Sequence, residues 1–366
     1  MKHNSHLSRR QFLRTSLAGV AGVLIVPTII PSSVLGADAP SNKIQIGQIG
    51  CGRIAHDMDM PGLLKHDRAR IVAVCDLDSK RLQHAKAYVE GAYAKKKGSP
   101  NAVAVKAFGD YRELLKDGHV DAVAISTPDH WHSEPVMAAA LAGKDIYVQK
   151  PLSMTLAEGR AVSDILRARK CAFQIGSQQR STSQFRIACE LVRNGRIGKL
   201  QTIQIGLPVD PSGEAEPEMP VPANLNYERW LGCTPKVPYT EKRVHPQNSI
   251  SDRPGWLRID SYCLGMITGW GSHHVDIAHW GMGTELTGPI TRAALSTGGR
   301  AESKFLSLGD HAFEPILNKE VCDEWRMALN PNADSSTRAA LSTCERARKR
   351  CLSVEQSRTA GAVCAL

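Results

Sequence analysis

Gly50-Cys51-Gly52-Arg53-Ile54-Ala55 follows the apolar run IQIGQI and opens a helix-like stretch. Glycines spaced in this way permit a tight turn and let backbone N–H groups approach a pyrophosphate at a positive helix end. The G-x-G-x-x-A pattern is weak in isolation. After a strand and before a helix it is a dinucleotide fingerprint, and it marks Gly50, Cys51, Gly52, Arg53 and Ile54 as cofactor-binding. Asp76 closes the next apolar run, where an acid accepts from a ribose 2′-OH and repels a 2′-phosphate, so NAD is expected ahead of NADP. Lys80 and Arg81 lie just beyond and read as the exposed first turn of a helix. STPDHWHSEP ends a later strand-like run. Ligands of open α/β sheets sit at strand C-terminal ends, so Thr127, Pro128, Asp129 and His132 are expected to line the nicotinamide side. His130 and His132 have no acidic or thiol partner at ligand spacing, and no metal site is expected. DIYVQKPLS puts Lys150 at the end of another strand, on the edge shared with Gly50, Asp76 and Asp129. That edge lies over the cofactor rather than in open solvent.

These residues need a scaffold that brings distant strand ends together. KIQIGQIG, ARIVAVCD, AVAVKAF, VDAVAIS, DIYV and AFQIG are apolar strand-like runs separated by helix-like stretches. Such alternation predicts βαβ units and a parallel sheet covered by helices on both faces. The expected fold class is α/β, with a Rossmann dinucleotide-binding domain over 43–170 and a second domain over 171–291. The Pro-rich, acidic segment 208–224 reads as a surface loop or lid. Trp230, Trp256 and Trp270 read either as core or as faces on which a sugar stacks.

The chain has 366 residues and a formal charge of +10. Its cations are scattered among acids, and no basic run is interleaved with aromatics, which argues against nucleic acid as a partner. SRRQFLR, an apolar run broken by Pro27 and Pro31, and the small-residue stretch SSVLGADAP read as an export signal over 1–39, not a membrane span. The paired arginines resemble a twin-arginine signal, which exports folded cargo. The expected partner is that export machinery, and the expected location is the periplasm or another extracytoplasmic space. Ten cysteines without C-x-x-C or framework spacing read as buried small hydrophobes. Over 292–366 the apolar periodicity fades, and the tail reads as disordered or as a frame-shifted end.

IGQIGCGRIA, AVCD, STPDHWH and YVQKPLS, in this order and spacing, resemble the Gfo/Idh/MocA family of NAD(P)-dependent dehydrogenases. QQRSTSQFRIACELVRNGRIGKL and GMITGWGSHHVDIAHWGMG extend the resemblance to about residue 290. It implies a C-terminal α/β domain with a largely antiparallel sheet, incomplete here, which usually forms an oligomer interface. It also implies a small sugar, polyol or related carbohydrate as substrate. The family's Glu-Lys-Pro becomes Gln149-Lys150-Pro151, which implies that Lys150 assists proton transfer and touches the nicotinamide. Without the carboxylate at position 149, Lys150 is expected to lose its proton more readily. The family's D-x-x-x-H pattern matches Gly269 to His273. This implies His273 as the catalytic acid/base, with His274 or neither residue as alternatives, since successive helix positions point apart.

The functional expectation is hydroxyl oxidation with transfer of a hydride to nicotinamide. Two alternatives stand beside it: an NAD-dependent glycoside-cleaving enzyme, and a non-catalytic member that keeps nucleotide binding. Gln149, Gly269 and the tail motivate the second.

Overall fold

The computed structural model describes residues 42–95, 104–213, 216–285, 291–297 and 300–306. The expected export signal and the tail beyond 306 lie outside them. Six parallel strands form one sheet: β1 (Ile44–Ile49), β2 (Ala69–Cys75), β3 (Lys106–Phe108), β4 (Ala122–Ile125), β5 (Asp145–Val148) and β6 (Phe173–Ile175). Their order is β3-β2-β1-β4-β5-β6, the doubly wound arrangement of a Rossmann domain. β6 lies beyond residue 170, so the sheet runs past the boundary drawn from sequence.

Each strand is short and apolar because helices cover both faces of the sheet. One face packs Ala73, Val123, Ile125, Val136, Met137 and Val162 beneath α4 (Ser133–Leu141) and α5 (Leu156–Arg169). The other packs Ile71, Val74, Leu82, Ala85 and Val89 beneath α1 (Met60–Leu64) and α2 (Ser79–Lys95). Each fully buried aliphatic side chain contributes about 1.5–3 kcal/mol. Local signals set the helix starts. Thr155 and Glu158 form a reciprocal capping box on α5, and Asp110 caps α3 (Tyr111–Leu115). The fingerprint helix begins with a π-helical turn over Ala55–Asp59 before continuing as α1.

The sheet leads through α6 (Ser183–Arg193) into a region with little regular structure up to α7 (Tyr227–Leu231). A third core gathers there from Tyr227, Trp230, Tyr239, Val244 and Tyr262, with Trp256 partly buried against it. Trp230 and Trp256 thus take part in packing, while Trp270 is 39% exposed and stacked on His274; all three also line the cavity at the strand ends. α8 (Gly265–Gly269) and α9 (Gly271–Met282) follow. β7 (Thr291–Thr297) and β8 (Arg300–Leu306) then pair antiparallel. This hairpin takes in the start of the segment 292–366 that reads from sequence as a disordered or frame-shifted tail. Among the described residues it is the whole of the antiparallel sheet. Cys51, Cys75, Cys189 and Cys263 are buried and unbridged. No helix among the described residues is long and apolar enough to cross a membrane.

Candidate active site

β1 and β4 are neighbours whose connections leave in opposite directions, and the crevice between their C-terminal ends is where such sheets bind ligands. A cavity of about 400 Å³ opens there, lined by Gly50, Asp76, Asp129, Lys150 and His273 among others. Gly50 has φ +82°, and a Cβ on it would stand 2.8 Å from the Ser126 carbonyl and the Thr127 nitrogen. Only glycine lets β1 turn this close to β4. Gly52 is different: a Cβ there would meet nothing closer than the Arg81 guanidinium at 3.8 Å. The chain's own packing does not require that glycine, whereas a pyrophosphate against the helix end would. The N–H groups of the first helical turn have no intrahelical acceptor, and the Arg53 Nε is buried without a hydrogen-bond partner. These features fit a dinucleotide.

The Cys51 N–H does not share in that donor set. It donates to Asp76 Oδ2 at 2.7 Å, while the Asp78 N–H donates to Asp76 Oδ1 at 2.8 Å. Burial raises the Asp76 carboxyl above its ordinary range against these two bonds. Each oxygen keeps a second lone-pair direction for a ribose hydroxyl.

Arg81 departs from the sequence reading. It is 6% exposed, and its guanidinium donates to the carbonyls of Pro246 and Ser249 at 3.2 and 3.1 Å. Both bonds come from Nη2 and hold the guanidinium to the 246–249 segment at the edge of the cavity. Lys80 is exposed as expected. Beside it, Asp78 accepts from His245 Nε2 at 2.9 Å and Asn224 Nδ2 at 2.8 Å, and from N–H groups at the start of α2. Burial opposes ionisation of Asp78, but the His245 and Asn224 bonds override it and bring the carboxyl to about 2. This clasp holds segment 241–254 against the nucleotide domain. Sequence reasoning missed it. Asp78 carries the local signature of a helix N-cap, but no signal along the chain points to residues 146 and 167 positions away.

At the β4 end, Thr127 Oγ1 donates to the Trp131 carbonyl at 2.9 Å. His132 is 1% exposed, with Nδ1 2.5 Å from the Pro151 carbonyl and Nε2 2.9 Å from the Thr127 carbonyl. Burial brings its ring to about 4, so it is neutral and donates to one of the two. Rather than presenting a polar face to a ligand, His132 braces the β4 end against the Lys150-Pro151 segment. His130 Nε2 similarly lies 3.0 Å from the Trp230 carbonyl.

Gln149 does not face Lys150. Its amide donates to Asp59 Oδ1 at 2.8 Å, and Ser126 Oγ donates to Asp59 Oδ2 at 2.6 Å. Gln48 completes this buried network through Ser126. Burial lowers the Lys150 ammonium, helped by Arg53 and Arg253 and opposed by Asp129 and Cys263. His273 is buried, with Nδ1 unpartnered; burial and then Lys150 bring its ring to about 4. Asp276 is engaged elsewhere, in a two-point pair with Arg180 at 2.6 and 2.9 Å. His274 stacks on Trp270, so of the two adjacent histidines His273 is the one lining the cavity.

A six-stranded doubly wound sheet with a glycine-lined crevice defines a dinucleotide-binding α/β protein. The family model described as "Oxidoreductase family, NAD-binding Rossmann fold" matches residues 44–177, and that described as "Oxidoreductase family, C-terminal alpha/beta domain" matches 212–296. The chain belongs to this Gfo/Idh/MocA oxidoreductase family. It is 34% identical to myo-inositol 2-dehydrogenase of Thermotoga maritima over 163 residues, 44% of each protein. It is 27% identical to inositol 2-dehydrogenase 2 of Saccharopolyspora erythraea over 244 residues, 66% of this chain and 55% of that protein. The chain thus spans about half the length of these relatives. Apo scyllo-inositol dehydrogenase from Lactobacillus casei overlaps at a TM-score of 0.38 and 24% identity, over 43% of each chain.

Proposed function

We propose that this protein is an NAD-dependent dehydrogenase that oxidises a hydroxyl of a polyol or sugar, with Lys150 and His273 handling the proton. The observation that carries the reading is the meeting of Lys150 and His273 in the cavity that also holds the fingerprint glycines. Gly52, Arg53 and Asp76 would hold the dinucleotide, which when bound supplies the hydride acceptor. Lys150 makes no side-chain hydrogen bond or ion pair to a described residue, and burial favours its neutral amine, which has a lone pair for a hydroxyl proton. His273 is neutral and its Nδ1 is without a partner, so it can orient the same hydroxyl or pass the proton onward. The kinship with inositol dehydrogenases supports a polyhydroxylated substrate.

The test separates binding from chemistry. Lys150→Ala is expected to leave NAD affinity nearly intact and to reduce polyol oxidation by about 10²–10⁴-fold. Undiminished turnover in that variant would end the assignment. The twin-arginine motif supports export of the folded protein with its cofactor, and a home outside the cytoplasm. Substituting Arg9 and Arg10 by Lys should then retain the protein in the cytoplasm; unchanged export would refute that part.

A further inference from the structure

Position 149 points to Asp59, so a counter-charge for Lys150 has to come from elsewhere in the cavity. Four aspartates line the cavity: Asp76, Asp110, Asp129 and Asp252. Asp76 is held by two backbone N–H groups at the fingerprint turn. Asp110 is paired with Arg229 at 2.6 Å and Arg112 at 3.4 Å. Asp252 is exposed. Asp129 differs from all three. It is 5% exposed and opens the short turn after β4, at the same sheet edge as Lys150, which follows the neighbouring β5; burial raises its carboxyl while Lys150 and Cys263 lower it. No ion pair within 4.0 Å joins the two, and both line the same cavity. Asp59 and Asp78, also buried at this end, are occupied by Ser126 and Gln149 and by His245 and Asn224.

We propose that Asp129 is the positioning residue for Lys150, the carboxylate that stabilises the ammonium formed when Lys150 takes a proton from the substrate hydroxyl. The inference rests on the dehydrogenase reading above. In the step, the substrate O–H bond breaks and an N–H bond forms at Lys150 Nζ. The C–H electron pair leaves for the oxidised nicotinamide, and the carbinol becomes a carbonyl. An amine becoming a cation in a buried site needs a fixed negative charge nearby, because water cannot supply the solvation. Arg53 and Arg253 act against that cation, His132 and His273 are neutral, and burial keeps the Cys263 thiol un-ionised, so Asp129 is the carboxylate left to oppose them. Burial brings its own carboxyl to about 7 despite the attraction of Lys150 and the bond from Cys263, so it ionises in the neutral range.

The experiment is a titration of Lys150 in the full chain, by competitive acetylation with acetic anhydride and mass spectrometry across pH. Asp129→Asn keeps a polar group for Cys263 but removes the charge. It is expected to move the Lys150 titration down by about one pH unit, the low end for loss of a nearby opposite charge. Asp129→Glu should restore most of the shift. NAD affinity should change less than about twofold in both variants, since a cofactor wall would lose binding energy instead. In turnover, the rising limb of the pH profile should shift to lower pH with Asp129→Asn, with a reduced plateau. A Lys150 titration unmoved by Asp129→Asn, or one displaced equally by Asp129→Glu, would overturn the proposal. So would loss of NAD affinity in both variants. The titration needs no substrate, so failure of the dehydrogenase reading would show in turnover alone.

Discussion

Restoring the family's glutamate at position 149 should harm this protein. The Gln149 amide donates to Asp59 Oδ1 at 2.8 Å, and Asp59 is 8% exposed. Gln149→Glu replaces that donor with a second carboxylate. At an effective dielectric constant of about 20, two charges at the observed 2.8 Å repel by about 6 kcal/mol. Holding one carboxyl protonated near pH 7, from an ordinary glutamate value of about 4.3, costs about 4 kcal/mol. The smaller cost prevails, so the folded variant takes up a proton and the acid O–H donates where the amide did. Its folded value is raised above the unfolded one, so the penalty is small near pH 4 and grows as pH rises. The expected destabilisation is about 4 kcal/mol at pH 7 and about 1 kcal/mol at pH 5. Urea-unfolding free energies of wild type and variant at both pH values measure it. Pairing Gln149→Glu with Asp59→Asn exchanges amide and carboxylate and should recover most of the loss at neutral pH. A pH-independent effect, or a variant as stable as wild type at pH 7, would refute the placement of Gln149 against Asp59.

Gly50→Ala forces a left-handed backbone on alanine and drives its Cβ to 2.8 Å from the Ser126 carbonyl, for an expected loss of about 2–5 kcal/mol and of NAD binding. Calorimetry would show both, and retained NAD affinity in a stable variant would contradict the close β1–β4 approach. Asp78 is held at about 2, below its unfolded value, so its stabilisation is present above about pH 4 and lost as pH falls towards 2. Asp78→Asn should cost about 1.5–3 kcal/mol at neutral pH and remove that part of the acid transition. An acid-unfolding profile with the wild-type slope between those pH values would show that Asp78 does not clasp His245.

The nucleotide domain was legible because its signals are local. Apolar runs mark strands, helix-like stretches separate them, and Gly50 and Asp76 stand at fixed offsets from strand ends. A βαβ unit constrains each of these within a few tens of residues. Arg81 shows where local reasoning fails. Its position in the first turn of α2 suggested exposure, but carbonyls of Pro246 and Ser249, far along the chain, enclose it. The β7–β8 hairpin was obscured for a related reason. Its runs, TRAALST and RAESKFL, lack the strong alternation that marks a strand with one buried face.

The sequence by itself determined the fold class, the dinucleotide fingerprint and the placing of Lys150 at a strand end, because periodicity and turn chemistry act between near neighbours. Only the tertiary structure decided which charges meet. It turned Gln149 toward Asp59, gave Asp276 to Arg180, clasped Asp78 with His245 and brought Asp129 and Lys150 into one cavity. Those pairings depend on side-chain direction and burial across different strand ends, and the strength of a charge in a protein depends on what surrounds it in space.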